Sequence, residues 1–310
     1  MKVAFLFPGQ GSQQPGMLHE LPRHPAISET LAEASEILQQ DVLAWDSKKA
    51  LQSTAAVQVA LFVAGVASAR ALQQEGASAD FVAGHSVGAF CAAVVADALD
   101  FRDGLELVRL RGQLMERAHP QGFGMGVVLG LPERRVAGLV ERLFSPEDPV
   151  YLANVNAVQQ LTISGSLSGI SRVLDAARQE GARKAELLPV NVPSHCQLML
   201  TVAAELAEAS KRTAFRQAKI LYAANRTARS TQDAEAIRDD LGQSLAHPVR
   251  WHDATSGLFE RGARLFIEMP PGQVLTNLAK QAFPSARAVS VSEAGIRGCV
   301  ILAQRCKAIE

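Results

Sequence analysis

The stretch from residue 80 to residue 98 constrains the fold more than any other part of the sequence, because it predicts a strand, a tight turn and a helix in direct succession. Asp80-Phe81-Val82-Ala83 is a short apolar run that predicts a buried strand, and the alanine-rich run from Ala89 to Ala98 predicts a buried helix. Between them lies Gly84-His85-Ser86-Val87-Gly88. This order favours an α/β fold in which ligands bind beyond the carboxyl ends of parallel strands.

The Gly-His-Ser-Val-Gly turn matches the G-x-S-x-G pattern of a nucleophile elbow. In such a turn the two glycines relieve crowding around a strained serine, so the hydroxyl of Ser86 would be presented in the open. The helix that follows would supply N–H groups and partial positive charge where an oxyanion develops. The alternative is an ordinary glycine-rich turn with a helix-capping serine. The preceding strand and the following helix favour the nucleophile.

A serine nucleophile requires a base, and the sequence contains seven histidines. His85 adjoins the serine, but neighbouring side chains on a sharp turn generally point apart. His195 lies in a Pro-Ser-His turn and is preferred, although a single loop histidine more often has a structural role. The others lie beside prolines or in charged or polar surroundings: His19, His24, His119, His247 and His252. Because no acidic residue between Ser86 and His195 suits a triad, a dyad with a histidine oriented by a backbone carbonyl fits the sequence.

The composition excludes several function classes. The 310 residues include 31 basic and 31 acidic side chains, so no global field would attract nucleic acid or an anionic membrane. The apolar stretch from Ala55 to Ala69 is interrupted by polar residues and falls short of the roughly 20 residues of a membrane span. Four cysteines without CxxC or zinc-type spacing argue against a metal site and indicate a reducing compartment. Since the N-terminal apolar segment is also too short for a signal peptide, we expect a cytoplasmic protein with no nucleic-acid or membrane partner.

A second pattern, beginning near residue 124, predicts a smaller lobe. Strands are predicted at 125–131, 150–155, 161–164 and 184–188, with helices at 132–144 and 167–180. The order β-α-β-β-α-β is that of a ferredoxin-like unit. We therefore expect an α/β-hydrolase-like large domain with a parallel sheet, formed by residues 1–121 and 190–310. The ferredoxin-like lobe would be an insertion formed by residues 122–189.

Five motifs along the chain, taken together, resemble a known family. They are the glycine-rich loop Phe7-Pro8-Gly9-Gln10-Gly11-Ser12-Gln13, the elbow, Leu110-Arg111-Gly112, Val192-Pro193-Ser194-His195 and Pro271-Gly272-Gln273-Val274-Leu275. In this order they resemble the malonyl-CoA:acyl-carrier-protein transacylase family. The resemblance covers nearly the whole chain, including the inserted lobe.

This resemblance implies a role for each matching residue. Ser86 would be the nucleophile and His195 its base. The backbone N–H groups of Gln10 and Val87 would form the oxyanion hole. Arg111 would bind the free carboxylate of a malonyl group, because a guanidinium fork binds a carboxylate bidentately and would be left unpaired by an acetyl group.

The resemblance also implies the reaction. Malonyl-CoA would be the acyl donor, and the acceptor would be the thiol of a phosphopantetheine-type or dephospho-CoA-type group on an acyl carrier protein, with no bound cofactor and no metal. Without the family pattern the residues do not favour Arg111 over Arg109, since an arginine on a helix is usually solvated.

The sequence departs from the family pattern at three places. Ala89-Phe90 follows the elbow where the family often has glutamate, and Pro270-Pro271-Gly272 replaces Gly-Pro-Gly. Ser244 aligns with a glutamine whose main-chain carbonyl could orient the histidine, a task that the Ser244 carbonyl could also perform. These departures resemble the malonyltransferase (epsilon) subunit of bacterial malonate decarboxylase. The alternatives are a malonyl transacylase of fatty acid or polyketide synthesis, a serine esterase, and a non-catalytic subunit that retains the fold.

Overall fold

The computed structural model describes residues 1–118 and 121–308, and the strands in them form two separate sheets. The strands are β1 (Lys2–Phe7), β2 (Phe81–Gly84), β3 (Phe123–Leu129), β4 (Val150–Ala157), β5 (Gln160–Ser166), β6 (Lys184–Leu187), β7 (Leu221–Ala223), β8 (Ser230–Thr231), β9 (Ala263–Glu268) and β10 (Arg287–Ser290). The helices are α1 (Pro25–Leu38), α2 (Thr54–Gln74), α3 (Gly88–Val95), α4 (Phe101–Ala118), α5 (Glu133–Leu143), α6 (Leu167–Gln179), α7 (Leu200–Lys211), α8 (Ala234–Gln243), α9 (Trp251–Glu260), α10 (Val274–Ala282) and α11 (Val291–Lys307).

The larger sheet has six strands in the order β10-β9-β1-β2-β7-β8. All neighbours pair in parallel except the short β8, which joins β7 antiparallel. Along β1, Phe5 and Phe7 pack into one hydrophobic cluster, whereas Ala4 and Leu6 pack into another on the opposite face. Both faces of the strand are therefore buried, as is typical of parallel sheets, and the predicted α/β fold class is confirmed.

Helix α2 lies in the core of the larger part. Its 21 residues are long and apolar enough to cross a membrane, which corrects the expectation that the stretch from Ala55 to Ala69 is too short and too interrupted. Within the described ranges it is the one helix that meets this test, and 94% of its apolar window is buried inside the protein. Helices α1, α3 and α4 pack against it, so the protein itself covers its apolar surface.

The smaller sheet has four antiparallel strands in the order β4-β5-β3-β6, and α5 and α6 pack on it. The chain order β3-α5-β4-β5-α6-β6 confirms the predicted ferredoxin-like pattern. Strand β4 also reaches the larger part, because the Val155 N–H donates to the Val249 carbonyl at 2.8 Å and the Val249 N–H to the Ala153 carbonyl at 2.9 Å. The domain boundaries at 121/122 and 189/190 remain a prediction.

The topology brings two of the sequence motifs to one edge of the larger sheet. Strands β1 and β2 are parallel neighbours, with Phe7 opposite Gly84 at their carboxyl ends. The glycine-rich loop after β1 and the elbow after β2 therefore lie side by side. The His85 N–H donates to the Phe7 carbonyl at 2.9 Å, which joins the two segments directly.

Candidate active site

The elbow has the strained backbone that its sequence pattern predicts. Ser86 has a φ of 55°, in the left-handed region that side-chain-bearing residues rarely adopt. A Cβ on Gly84 would lie 2.0 Å from the Gly88 backbone, and a Cβ on Gly88 would lie 2.2 Å from the Phe7 carbonyl oxygen. Only glycine fits at either position, so both glycines of the pattern are required by packing.

The Ser86 hydroxyl contacts two functional side chains from distant parts of the chain. Its Oγ lies 2.7 Å from His195 Nε2 and 2.9 Å from Arg111 Nη2. A guanidinium only donates, so the serine oxygen accepts from Arg111 and its proton is free to donate to the imidazole. Three residues separated by 25 to 109 positions in the sequence therefore converge on one oxygen.

His195 is held for the role of a proton acceptor. Its Nδ1 lies 2.9 Å from the Ser244 carbonyl oxygen, so the N–H is on Nδ1 and the lone pair of Nε2 faces Ser86. Burial, followed by the charge of Arg111, lowers the pKa of His195 to about 3, which leaves the imidazole neutral near pH 7. In the described part of the chain no carboxylate hydrogen-bonds to it, as expected for a dyad oriented by a backbone carbonyl.

Arg111 is buried rather than solvated. Only 1% of it is exposed, although it belongs to the amphipathic helix α4, and Arg109 on the same helix is half-buried. Its Nη1 donates to Gln58 Oε1 at 2.6 Å, while its Nε has no hydrogen-bond partner among the residues that the structure describes. Burial lowers the pKa of Arg111 to about 9, still above neutral pH, so it carries a positive charge next to the nucleophile. An anionic group on a substrate would be paired there.

The two backbone N–H groups proposed for the oxyanion hole are unpaired. Within residues 1–118 and 121–308, neither the Gln10 N–H nor the Val87 N–H has a hydrogen-bond acceptor. Val87 immediately precedes α3, and Gln10 lines the same cavity as Ser86 and His195. Both groups are therefore available to a ligand oxygen near the serine.

The cavity around Ser86 is small, about 40 Å³, and residues of the loops after β1 and β2 line part of its wall. Met125 of β3 and Asn154 of β4, both in the smaller sheet, also line it. Clefts of about 370 Å³ and 440 Å³ lie elsewhere and contact none of these residues. We place the active site at the smaller cavity, because that is where the strained serine, the neutral histidine and the buried arginine meet.

Comparisons to known proteins agree with the fold. Residues 4–302 match the acyl transferase domain family. The chain belongs to the acyl transferase domain family. It is 36% identical over 298 residues to the malonyl CoA-acyl carrier protein transacylase of Escherichia coli (strain K12), covering 94% of this chain and 96% of that protein. It is 33% identical over 297 residues to the Bacillus subtilis (strain 168) protein of the same name, covering 94% of each.

Solved structures of acyl transferases superpose on nearly the whole chain. The malonyl CoA-acyl carrier protein transacylase of Coxiella burnetii has a TM-score of 0.93 and 34% identity, and the match covers 99% of this chain and 98% of that one. A malonyl-transacylase in complex with a type II polyketide synthase acyl-carrier protein has a TM-score of 0.91 and 35% identity, covering 98% of this chain and 99% of that one. The likeness extends over both sheets.

Two residues that contact the acyl transferase site were not identified from the sequence. Gln58, fully buried on α2, receives the Arg111 hydrogen bond, and the one signal for it is an amide within the otherwise apolar run from Ala55 to Ala67. Asn225 lies beyond β7, and its Oδ1 accepts from the Ser86 N–H at 2.9 Å. It stands in no recognisable motif, so nothing in the sequence singles it out.

The surroundings of His85, His24 and Cys196 do not suit them as the base or the nucleophile. His85 Nε2 lies 2.9 Å from Asn156 Oδ1, its ring packs on Trp251, and burial lowers its pKa, so it points away from the serine as expected. His24 caps α1, whereas His119 lies outside the described residues. Burial raises the pKa of Cys196 to about 11, so its thiol remains protonated and is not a nucleophile.

Proposed function

We propose that this protein is an acyltransferase that moves a malonyl group from malonyl-CoA to the prosthetic-group thiol of an acyl carrier protein, through an acyl-enzyme on Ser86. The observation that carries the proposal is the convergence of a neutral base and a buried cation on one serine oxygen, at 2.7 Å and 2.9 Å. The names of the related transacylases support the same donor and the same class of acceptor.

In the first half-reaction Ser86 becomes acylated. His195 Nε2 takes the hydroxyl proton as Oγ attacks the thioester carbonyl, and the N–H groups of Gln10 and Val87 stabilise the resulting oxyanion. The C–S bond then breaks, the imidazolium protonates the departing sulfur, and coenzyme A leaves. The Ser244 carbonyl accepts from Nδ1 throughout and stabilises the imidazolium that forms.

In the second half-reaction the acyl group leaves the serine. The carrier's thiol gives its proton to His195 and attacks the same carbonyl carbon, after which the C–Oγ bond breaks and Ser86 regains a proton from the imidazolium. Each step reverses a proton transfer of the first half, so the enzyme ends unchanged. The kinetics are ping-pong.

The substrate carboxylate also affects the base. The charge of Arg111 is the second cause of the low pKa of His195, after burial. A malonyl carboxylate bound to the guanidinium cancels that charge and raises the basicity of the imidazole when the correct substrate is present. Acetyl-CoA leaves the charge of Arg111 uncompensated and lacks this effect.

The buried cation favours the acyltransferase over a serine esterase. An ester substrate without a carboxylate would leave the guanidinium of Arg111, which is 1% exposed and 2.9 Å from the Ser86 oxygen, unpaired beside a neutral acyl group.

The pH dependence tests the state of the base. His195 must be neutral to act, and its lowered pKa means that it becomes protonated only as the pH falls towards about 3. The pH dependence of kcat/KM reports the pKa values of the free enzyme. We therefore expect kcat/KM for malonyl transfer to stay level from neutral pH down to about pH 5. Circular dichroism at each pH controls for unfolding. A decline centred near the ordinary histidine pKa of about 6.5 would contradict this account.

For the pathway, we propose that the acceptor is the carrier protein of malonate decarboxylase. Ala89 and Phe90 after the elbow, and Ser244 in place of glutamine, support this choice. The names of the relatives favour the alternative, a malonyl transacylase of fatty acid or polyketide synthesis. The acyl donor, the chemistry and the site residues are the same in both pathways. Only the identity of the carrier protein distinguishes them.

A carrier comparison separates the two pathways. We expect kcat/KM for malonyl transfer to a dephospho-CoA-type malonate decarboxylase carrier to exceed that for a phosphopantetheine-type acyl carrier protein by at least about tenfold, or about 1.4 kcal/mol of recognition. The two carriers are compared at equal concentration, with the Ser86→Ala variant as the blank. The opposite preference would overturn the pathway assignment and leave malonyl transfer intact.

A further inference from the structure

The side chain of Asn225 bridges both ends of the strained part of the elbow. Its Oδ1 accepts from the Ser86 N–H at 2.9 Å, and its Nδ2 donates to the Gly84 carbonyl at 2.8 Å. The residue is 3% exposed, so water does not compete for these bonds. A single amide thereby ties the end of β2 to the left-handed serine two residues later.

Asn225 is itself held by a buried carboxylate. Asp240, which is 2% exposed, accepts from the Asn225 N–H at 3.0 Å and from the Tyr222 hydroxyl at 2.7 Å through Oδ2. Its Oδ1 accepts from the Arg226 N–H at 3.0 Å. These three donors fix the backbone that follows β7, and with it the position from which the Asn225 amide reaches the elbow.

The same helical segment reaches the base. Asp240 lies on α8, and the short 3₁₀ turn that directly follows α8 begins with Ser244, whose carbonyl oxygen lies 2.9 Å from His195 Nδ1. Asp240 and Ser244 are four positions apart, which is about one helical turn. The carboxylate that holds Asn225 and the carbonyl that orients His195 therefore belong to one continuous helical segment.

From this arrangement we propose that Asn225 and Asp240 are positioning residues for the acyl transfer reaction. Asn225 holds Ser86 in the conformation that presents its hydroxyl. Asp240 connects Asn225 to the segment that orients His195. Neither side chain touches the Ser86 hydroxyl. Their contribution is to hold nucleophile and base at reacting distance, where an error of about 1 Å lowers a rate by about a hundredfold. The inference rests on the proposed function only in the identity of the acyl group.

The test measures the reactivity of Ser86 separately from malonyl transfer. The rate of labelling of Ser86 by a fluorophosphonate, followed by intact mass, reports the serine and its base with no malonyl group involved. For Asn225→Ala we expect both this rate and kcat for malonyl transfer to fall about a hundredfold, with KM changed far less. Asp240→Ala should lower both rates in the same way.

Thr30→Val is the matched control, because it removes the buried hydroxyl that donates to the Ala26 carbonyl within α1 and touches neither the elbow nor Asp240. We expect it to label at nearly the wild-type rate even if its thermal midpoint falls as far as that of Asn225→Ala. If Thr30→Val loses as much reactivity as Asn225→Ala, or if Asn225→Ala labels at the wild-type rate, the positioning role is wrong.

A second variant covers the case in which Asn225→Ala does not fold. Asn225→Asp keeps an acceptor for the Ser86 N–H but cannot donate to the Gly84 carbonyl, so slower labelling is expected, and the wild-type rate would contradict the bridge. Wild-type protein that labels rapidly but transfers no malonyl group would overturn the proposed function alone. The inference about Asn225 and Asp240 would then stand on the labelling rates.

Discussion

Ser86→Ala is expected to lower kcat for malonyl transfer to a carrier protein by at least about ten-thousandfold, because the Ser86 hydroxyl is the one that His195 Nε2 contacts, at 2.7 Å. Cys196 adjoins the base in the sequence, but burial keeps its thiol protonated. The measurement is carrier acylation at saturating malonyl-CoA. Binding of malonyl-CoA, measured by calorimetry, should change little, since the variant retains Arg111 and the surrounding cavity.

His195→Ala provides the matched comparison. Nucleophile and base act as one unit, so the Ser86→Ala/His195→Ala double variant should lose little more activity than either single variant. Losses that multiply in the double variant would mean that the two residues act independently. Full activity of Ser86→Ala would favour the alternative of a non-catalytic subunit that retains the fold.

Arg111→Ala is expected to change which acyl group is transferred. Removing one partner of a buried charge pair typically costs about 2–5 kcal/mol, so kcat/KM for malonyl-CoA should fall by at least about thirtyfold. Acetyl transfer should fall far less or increase, because the variant no longer leaves an unpaired guanidinium beside a neutral acyl group. The measurement is the ratio of kcat/KM for the two thioesters with the same carrier.

Arg111→Lys is the control for that prediction. Lysine keeps the charge but lacks the fork that donates to Gln58 through Nη1 and to the serine oxygen through Nη2. We expect part of the malonyl preference to survive in it. Equal losses of malonyl and acetyl transfer in Arg111→Ala would assign the arginine a structural role instead.

Local patterns predicted much of this architecture. The strand, tight turn and helix around Ser86 were predicted from a short continuous apolar run, two glycines and an alanine-rich segment. All three are local signals. The smaller sheet was predicted equally well, because its strands and helices alternate at short range. Helix α3 ends at Val95 rather than at the predicted Ala98, an ordinary uncertainty at a helix end.

Local sequence patterns could not predict the contacts between distant parts of the chain. Arg111 and Arg109 share a helix and have the same side chain, and only the packing of α4 against α2 buries one of them beside Gln58. Asn225 reaches Ser86 across 139 positions in the sequence, with no motif to mark it. The Ser244 carbonyl is a backbone group that any residue could supply, so its role could be anticipated only through the family resemblance.

The central claim is that Ser86 carries a malonyl group between two thiols. Intact-mass spectrometry of the protein mixed with malonyl-CoA and no thiol acceptor tests it most directly. The account predicts a stable adduct of one malonyl group, located on Ser86 by peptide mapping, absent from Ser86→Ala and discharged on addition of carrier protein. Rapid release of free malonate with no accumulated adduct would contradict the account and indicate an esterase.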